Sequence, residues 1–456
     1  MASRIAAPGR SEPLGGHAGR QPGLGAPGID RMPVLCRKWL GDQLVCSLAS
    51  GGVSGLEVTL VLCTARGELI GAAAPFTVES TWWRDVEGVV AGARDVLGVE
   101  VRVLRILEVP RGARFPGGGR VTYLAEVDIA PAHLQLGTWP DDPLLPDQNR
   151  LSYAEPGGHQ LDLDWAADTL AQRGIALTAA PVQVRTWNLS SIWRLTASEG
   201  PVWLKVTPPF CASEAAIMPL LDPNVVPTVL GAAPHRVLLA DVPGQDQYDA
   251  RGEELHMMAR MLIDLQASWT GRVPELEALG LLDKRAAATL PRIHSVVDRN
   301  RHELDEDGRR ALDALIEGLP QRFADLEACG IPDTLVHGDF HPGNVRGTAG
   351  HYRILDWGDS GIGHPMLDLR PSLEYFNADD QQGAINIWEC EWSRHVPGCD
   401  ARRAAELVRP LGPLYGAVVY QKFLDNIETT ERPYHEGDPA HALQQAISMT
   451  TPTLED

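Results

Sequence analysis

The stretch HGDFHPGNV, His337 to Val345, sets Asp339 five residues before Asn344, directly after the apolar run Thr334-Leu335-Val336. A carboxylate and a carboxamide at that spacing suit phosphoryl transfer. Asp339 would accept or orient an attacking hydroxyl, and Asn344 would lend an oxygen to a divalent cation. Twelve residues after Asn344, YRILDWGDSG places Asp356 at the end of a short β-rich run, where a second metal-binding carboxylate would close the site. Upstream, Lys205 lies in the apolar strand pattern VWLKV and can reach nucleotide phosphates. Glu214, nine residues further on, opens a helical pattern and can hold Lys205 by an ion pair. His337 and His341 stand four apart, a spacing that suggests a metal pair on a helix. Pro342 and Gly343 oppose that helix, so His337 is read as a brace of the loop and His341 as a packing or rim residue. Asp368, in the MLDL run, is read as a helix start or loop brace.

These residues need elements to position them. PVQVRTW, SIWRLTA, PVWLKVT and RVLLADVPG, between Pro181 and Gly244, read as strands. From Glu253 to about Gly330 the period is helical, broken only by Gly and Pro. The expected result is a small sheet lobe followed by a large helical lobe. A separate strand-rich section precedes it, from about Val34 to Val127. There LEVTLVLCT and LIGAAAP read as a hairpin, Trp82–Gly98 as a helix stopped by glycine, and VEVRVLRILEV and GRVTYLAEVDI as two strands. Pro140–Gly158, rich in Pro and Asp, reads as a linker.

Taken together, HGDFHPGN and LDWGDSGIGHPMLDL resemble the catalytic loop and metal-binding segment of the aminoglycoside phosphotransferase and choline-kinase-type family of small-molecule kinases. The resemblance covers about 182–456. It implies a two-lobed protein-kinase-like α+β fold, with Asp339 as catalytic base and Asn344 and Asp356 as Mg²⁺ ligands. Lys205 would contact the phosphates of ATP and Glu214 would position it. The phosphate-covering loop would be Asn188-Leu189-Ser190-Ser191, with Ser190 and Ser191 near the phosphates. Asp241 and Val242, in the hinge after Leu239, would meet the adenine edge. The acceptor would be a small hydroxyl compound: an aminoglycoside, amino sugar, sugar or amino alcohol. Acids downstream, among them Asp359, Glu374, Asp379, Asp380, Asp425, Glu428 and Glu431, lie where this family builds its acceptor pocket. The N-terminal section has a weaker resemblance to a Nudix domain, with most ligands missing: Ala91, Gly92 and Val96 stand where carboxylates or arginine are needed, and only Asp95 is acidic. The implied organisation is a disordered tail over 1–32, a small α+β domain over 33–139, a linker over 140–160, the sheet lobe over 161–245 and the helical lobe over 246–456.

Bulk properties exclude other classes. With 60 acidic against 40 basic residues the chain carries a formal charge of −20, which disfavours nucleic acid and anionic membranes as partners. No apolar run is long enough to span a bilayer. The seven cysteines, at 36, 46, 63, 211, 329, 390 and 399, are scattered without a C-x-x-C pair and read as reduced thiols of a cytoplasmic protein. The first thirty-one residues lack the apolar core of a signal peptide, and Met32 is a candidate natural start. A second class of function stays open: a nucleotide-binding regulatory scaffold on a kinase-like fold, since no G-x-G-x-x-G is present.

Overall fold

The computed structural model of the protein describes residues 55–80, 82–110, 119–348, 350–373 and 375–450. The expected tail over 1–32, Met32, Cys36, Cys46 and Glu374 lie outside the described residues.

The first unit is a five-stranded mixed sheet: β1 (Leu56–Thr64), β2 (Leu69–Ala72), β3 (Phe76–Val78), β4 (Arg102–Glu108) and β5 (Gly119–Val127), in the order β2-β1-β5-β4 with β3 also on β1. β1 and β5 run parallel, in register from Leu56↔Gly119 to Thr64↔Val127. Leu60 and Leu62 face one core cluster, whereas Val61, Cys63 and Leu124 face another. Burial on both faces explains why the central strand reads as the continuous apolar run LVLC.

The helix expected over 82–98 starts only at α1 (Glu87–Gly92), continues as a π-helical turn over Ala93–Leu97 and stops at Gly98 with φ 66°. Trp82, Trp83 and Arg84 ahead of it are buried but not helical. Their backbone lies along a strand of the next sheet: Thr186 N–H donates to Arg84 O at 3.0 Å and Val86 N–H to Val184 O at 3.0 Å. The apolar pattern at 82–86 therefore records burial against a neighbour and not a helical face.

The second unit opens with α2 (Gly158–Gln172) and contains β6 (Val182–Trp187), β7 (Ser190–Ala197), β8 (Gly200–Val206), the short helix α3 (Ser213–Ile217), β9 (Val229–Ala233) and β10 (Arg236–Ala240). Its strands pair antiparallel in the order β6-β7-β8-β10-β9. Trp193, Leu195, Val202, Leu204 and Val206 pack on Leu163, Ala166 and Leu170 of α2. Strand alternation then turns Lys205, between Leu204 and Val206, to the opposite face.

The helical lobe follows: β11 (Gln245–Asp246), α4 (Glu253–Ser268), α5 (Val273–Ala278), β12 (Leu282–Asp283), α6 (Ala286–Asn300), α7 (Glu306–Ala328), β13 (Thr334–Val336), β14 (Val345–Thr348), β15 (His351–Ile354), β16 (Gly361–Gly363), α8 (Leu369–Leu373), α9 (Ala378–His395), α10 (Ala401–Leu407), α11 (Leu411–Asn426) and α12 (Asp438–Ser448). Two small sheets, β11-β14-β15 and β12-β16-β13, carry the loops between them. The helical pattern read from Glu253 onward is thus interrupted at β12, a two-residue strand parallel to β16. That interruption delivers Lys284 to the centre of the lobe, where it is buried.

The segment read as a linker is anchored along its length. Arg150 Nη2 pairs with Glu428 Oε2 at 2.9 Å, Asn149 Nδ2 donates to Ile427 O at 3.3 Å, and Tyr153 Oη donates to Trp187 O at 2.7 Å. The first sheet is tied to both lobes as well, through Val103 N–H to Gln183 Oε1 at 2.9 Å and Ile106 N–H to Glu431 Oε1 at 2.8 Å. No helix among the described residues is long and apolar enough to cross a membrane.

Candidate active site

The catalytic-loop segment begins where β13 ends. All three β13 residues are buried, and Gly338 after it adopts φ 90°. A Cβ there would run into the Asp359 carbonyl and the Lys284 ammonium, so only glycine fits. Asp368 holds this bend from below, accepting from His337 N–H and Gly338 N–H at 2.7 Å each and from Gln266 Nε2 at 2.8 Å. Burial raises its carboxyl to about 6, against the pull of the Gly338 N–H and the Lys284 ammonium. Asp368 is therefore a loop brace, one of the two roles read for it.

His337 is a brace too. Its Nε2 lies 2.9 Å from Leu355 O, its Nδ1 accepts from Asp339 N–H at 3.2 Å, and its ring packs edge-on against Trp357 at 4.6 Å. Burial lowers it to about 4, so it is neutral at pH 7. His341 accepts from Gly343 N–H at 3.0 Å through Nδ1 and stacks on Tyr375, with centroids 4.6 Å apart. With these nitrogens engaged, the two histidines do not form a metal pair.

Asp339 is buried, and Asn344 Nδ2 donates to its main-chain oxygen at 2.8 Å and reaches its Oδ2 at 3.4 Å. Because the amide nitrogen faces Asp339, the Oδ1 of Asn344 is the atom turned elsewhere, as a metal ligand requires. Asp356 sits in the left-handed region at φ 60° and ψ 68°, unusual for a residue with a side chain. Lys205 Nζ bridges Asp356 Oδ1 at 2.9 Å and Glu214 Oε2 at 2.6 Å. Glu214 is itself fixed by Trp357 N–H at 3.2 Å. Burial would lower the Lys205 ammonium, but Asp356 and Glu214 outweigh it and hold it above its ordinary range. One buried ammonium thus serves two buried or half-buried carboxylates. The excess negative charge suits a further cation, and the donor set of Asp356 and Asn344, all oxygen, fits Mg²⁺.

The remaining residues expected at the nucleotide lie in the β6–β7 hairpin and just after β10. Asn188 and Leu189 make a tight turn between β6 and β7, with Trp187 paired to Ser190. Ser190 Oγ accepts from Trp187 Nε1 at 3.0 Å, and Ser191 Oγ accepts from Trp193 Nε1 at 3.1 Å. Both hydroxyls are turned to indoles within the β6–β7 hairpin, with no glycine loop beside them. In the hinge, Asp241 accepts from Trp203 Nε1 at 2.7 Å and its N–H donates to Pro201 O at 3.2 Å. Val242 O accepts from Arg346 Nε at 3.0 Å. These hinge groups already have partners inside the chain.

Two residues of the site escaped the sequence reading. Gln266 lies mid-helix in α4, and Lys284 follows β12 in a stretch read as helix. Neither carries a motif. A buried lysine after an apolar Leu-Leu-Asp was the only signal.

Residues 183–398 match the model of the phosphotransferase enzyme family. That segment, just under half of the chain, is similar to this family. A macrolide 2′-phosphotransferase from Brachybacterium faecium has 18% identity and a TM-score of 0.44, over 64% of this chain and 100% of that one. A choline kinase from Cryptosporidium parvum has 11% identity and a TM-score of 0.42, over 62% and 95%. An aminoglycoside 2′-phosphotransferase-IIIa solved with GDP has 15% identity and a TM-score of 0.44, over 64% and 99%. No curated protein matches the chain. The phosphotransferase segment begins at the first strand of the second sheet, and the first sheet lies outside it. Nothing in these comparisons carries the Nudix resemblance of residues 34–130, and α1 with its π turn presents Ala91, Gly92 and Val96 where ligands would be required.

Proposed function

We propose that the protein transfers the γ-phosphoryl group of ATP, with Mg²⁺, to a hydroxyl of a small polar molecule, in the cytoplasm. The observation that carries this reading is the convergence on Lys205 of Glu214 at 2.6 Å and Asp356 at 2.9 Å, together with the hydrogen-bonded pair Asp339 and Asn344. Segments more than a hundred residues apart supply a phosphate cation, two oxygen ligands and a base, which is the minimum set for this chemistry.

In this mechanism Lys205, held by Glu214, contacts the nucleotide phosphates. Asn344 Oδ1 and Asp356 would hold Mg²⁺, which would supply positive charge to offset that of the transferring group. Asp339 aligns the acceptor hydroxyl and takes its proton. His337 and Asp368 fix the loop, so that Asp339 needs little reorganisation during transfer. ATP and GTP should be compared directly as phosphoryl donors.

The regulatory reading rests on one observation. The phosphate-covering turn is pinned from outside, with Asn188 Nδ2 donating to Glu431 O at 3.3 Å and Asn188 Oδ1 3.0 Å from His435 Nε2. A cover held this way suits a switch as well as a catalyst. Nucleotide consumption over a panel of hydroxyl acceptors, with Asp339→Asn alongside, separates the two. Acceptor-dependent ADP release that vanishes in the variant supports the kinase. Tight Mg·ATP binding with the same negligible turnover in both proteins would support the switch.

A further inference from the structure

The side of Asp339 away from Lys205 opens on a narrow pocket lined by Asp339, Gly338, Lys284, Asp359, Arg370 and Tyr415, among others. Lys205, Glu214, Asn344 and Asp356 do not line it. On the kinase reading, which any acceptor specificity of this pocket presupposes, the acceptor enters here.

The pocket's charge runs against an amine. Lys284 is 6% exposed, and its ammonium donates to the main-chain oxygen of Asp359 at 2.6 Å. An ammonium has three donors, and no described carboxylate is within ion-pair distance of this one. Asp359, Asp368 and Asp339 act on this buried cation through space, but its donors beyond the Asp359 carbonyl are left for oxygen ligands, and it repels a second cation. Five of the acids read as possible amine ligands are engaged elsewhere. Asp359 Oδ1 lies 3.6 Å from Lys422 Nζ, and Asp425 is bonded to Arg299 at 2.6 and 2.7 Å. Glu428 pairs with Arg150 at 2.9 Å and with Arg105 at 3.5 Å, while Glu431 Oε1 accepts from Ile106 N–H at 2.8 Å. Asp380 accepts from Asn377 at 2.7 Å and from Gly252 N–H at 3.2 Å. Arg370 adds a second buried cation to the wall.

We infer that Lys284 determines acceptor specificity: the acceptor presents hydroxyl or carboxylate oxygens to its ammonium, and compounds that place an amine there are refused. The overall charge of −20 would draw amines towards the protein, but the groups at Asp339 decide what stays.

The test uses pairs of similar size and different charge, glucose against glucosamine and glycerate against ethanolamine, with the full chain and Mg·ATP. Wild type should favour the oxygen member by at least about tenfold in kcat/KM. Lys284→Met should bring that ratio close to one through KM, and Lys284→Arg should restore it. Thermal unfolding with Mg·ADP reports whether each variant is folded, and Lys284→Gln replaces the Met variant if that one is not. Preference of wild type for the amines, or an unchanged ratio in folded Lys284→Met, overturns this inference and leaves the kinase standing. If no member is phosphorylated and none raises the Tm of the ADP-bound protein, the kinase reading fails and this inference fails with it.

Discussion

At the scale of single residues, the candidate site is a set of buried charges that tolerate no removal of one partner. Lys205→Met leaves Glu214 and Asp356 facing each other without their cation, and should cost about 3–5 kcal/mol in denaturant unfolding. Adding Glu214→Gln should recover part of that loss, because the uncompensated carboxylate goes with it. Asp339→Asn keeps the loop's shape while removing the base. Turnover should fall by about 10²–10⁴-fold with Mg·ATP still raising the Tm, as thermal shift and ADP release would register. The types of these residues stood out in the sequence because the proposed phosphoryl transfer restricts what can stand at them. Lys284 and Gln266 were not, since their roles come from position alone.

At the scale of elements, the bend after β13 is the tightest constraint. Gly338 combines φ 90° with the Asp359 carbonyl where a Cβ would stand. Gly338→Ala should therefore lower stability by at least about 1–3 kcal/mol, a Tm drop of several degrees, and should reduce kcat through misplacement of Asp339. The single turn Thr429–Tyr434 offers a pH test. Burial raises the Glu431 carboxyl to about 7, helped by Glu428 and opposed by the Ile106 N–H. In the unfolded chain this group ionises near the ordinary glutamate value, so the folded state binds the extra proton between that value and 7. Its contribution is favourable at low pH and is lost as pH rises through about 7. Glu431→Gln should raise Tm at pH 8 relative to wild type and little at pH 5, as melting curves at both values would register. The elements themselves were mostly readable, β6, β7 and β8 from alternation and α4 from its helical period. The exceptions, 82–86 and β12, are short segments whose conformation is imposed by a neighbouring strand.

At the scale of the whole molecule, the first sheet, the helical lobe and part of the sheet lobe share one core cluster that includes Trp83, Val103, Trp187 and Tyr434, while the β7, β8 and α2 core forms a cluster of its own. Tyr434 stacks edge-on between Trp83 at 5.7 Å and Trp187 at 5.4 Å, and Tyr123 Oη donates to Trp83 O at 2.6 Å. These contacts predict that the N-terminal sheet and the kinase-like part unfold together. Calorimetry should give a single transition with and without nucleotide, and two separate peaks would refute this. The β6–β7 turn is part of the same junction through Asn188, which ties it to the Thr429–Tyr434 segment and through Glu431 to the N-terminal sheet.

The sequence by itself singled out Asp339, Asn344, Asp356, Lys205 and Glu214 as candidates for the proposed chemistry, because reacting groups are limited by type and by spacing along a loop. It also determined the lobe order, because strand and helix periods are local. Tertiary structure alone decided that Ser190 and Ser191 turn to indoles, that the supposed linker is anchored, and that Lys284 and Asp339 line one pocket. Those outcomes depend on which surfaces meet across hundreds of residues, where burial and charge compensation outweigh anything a short stretch of sequence encodes.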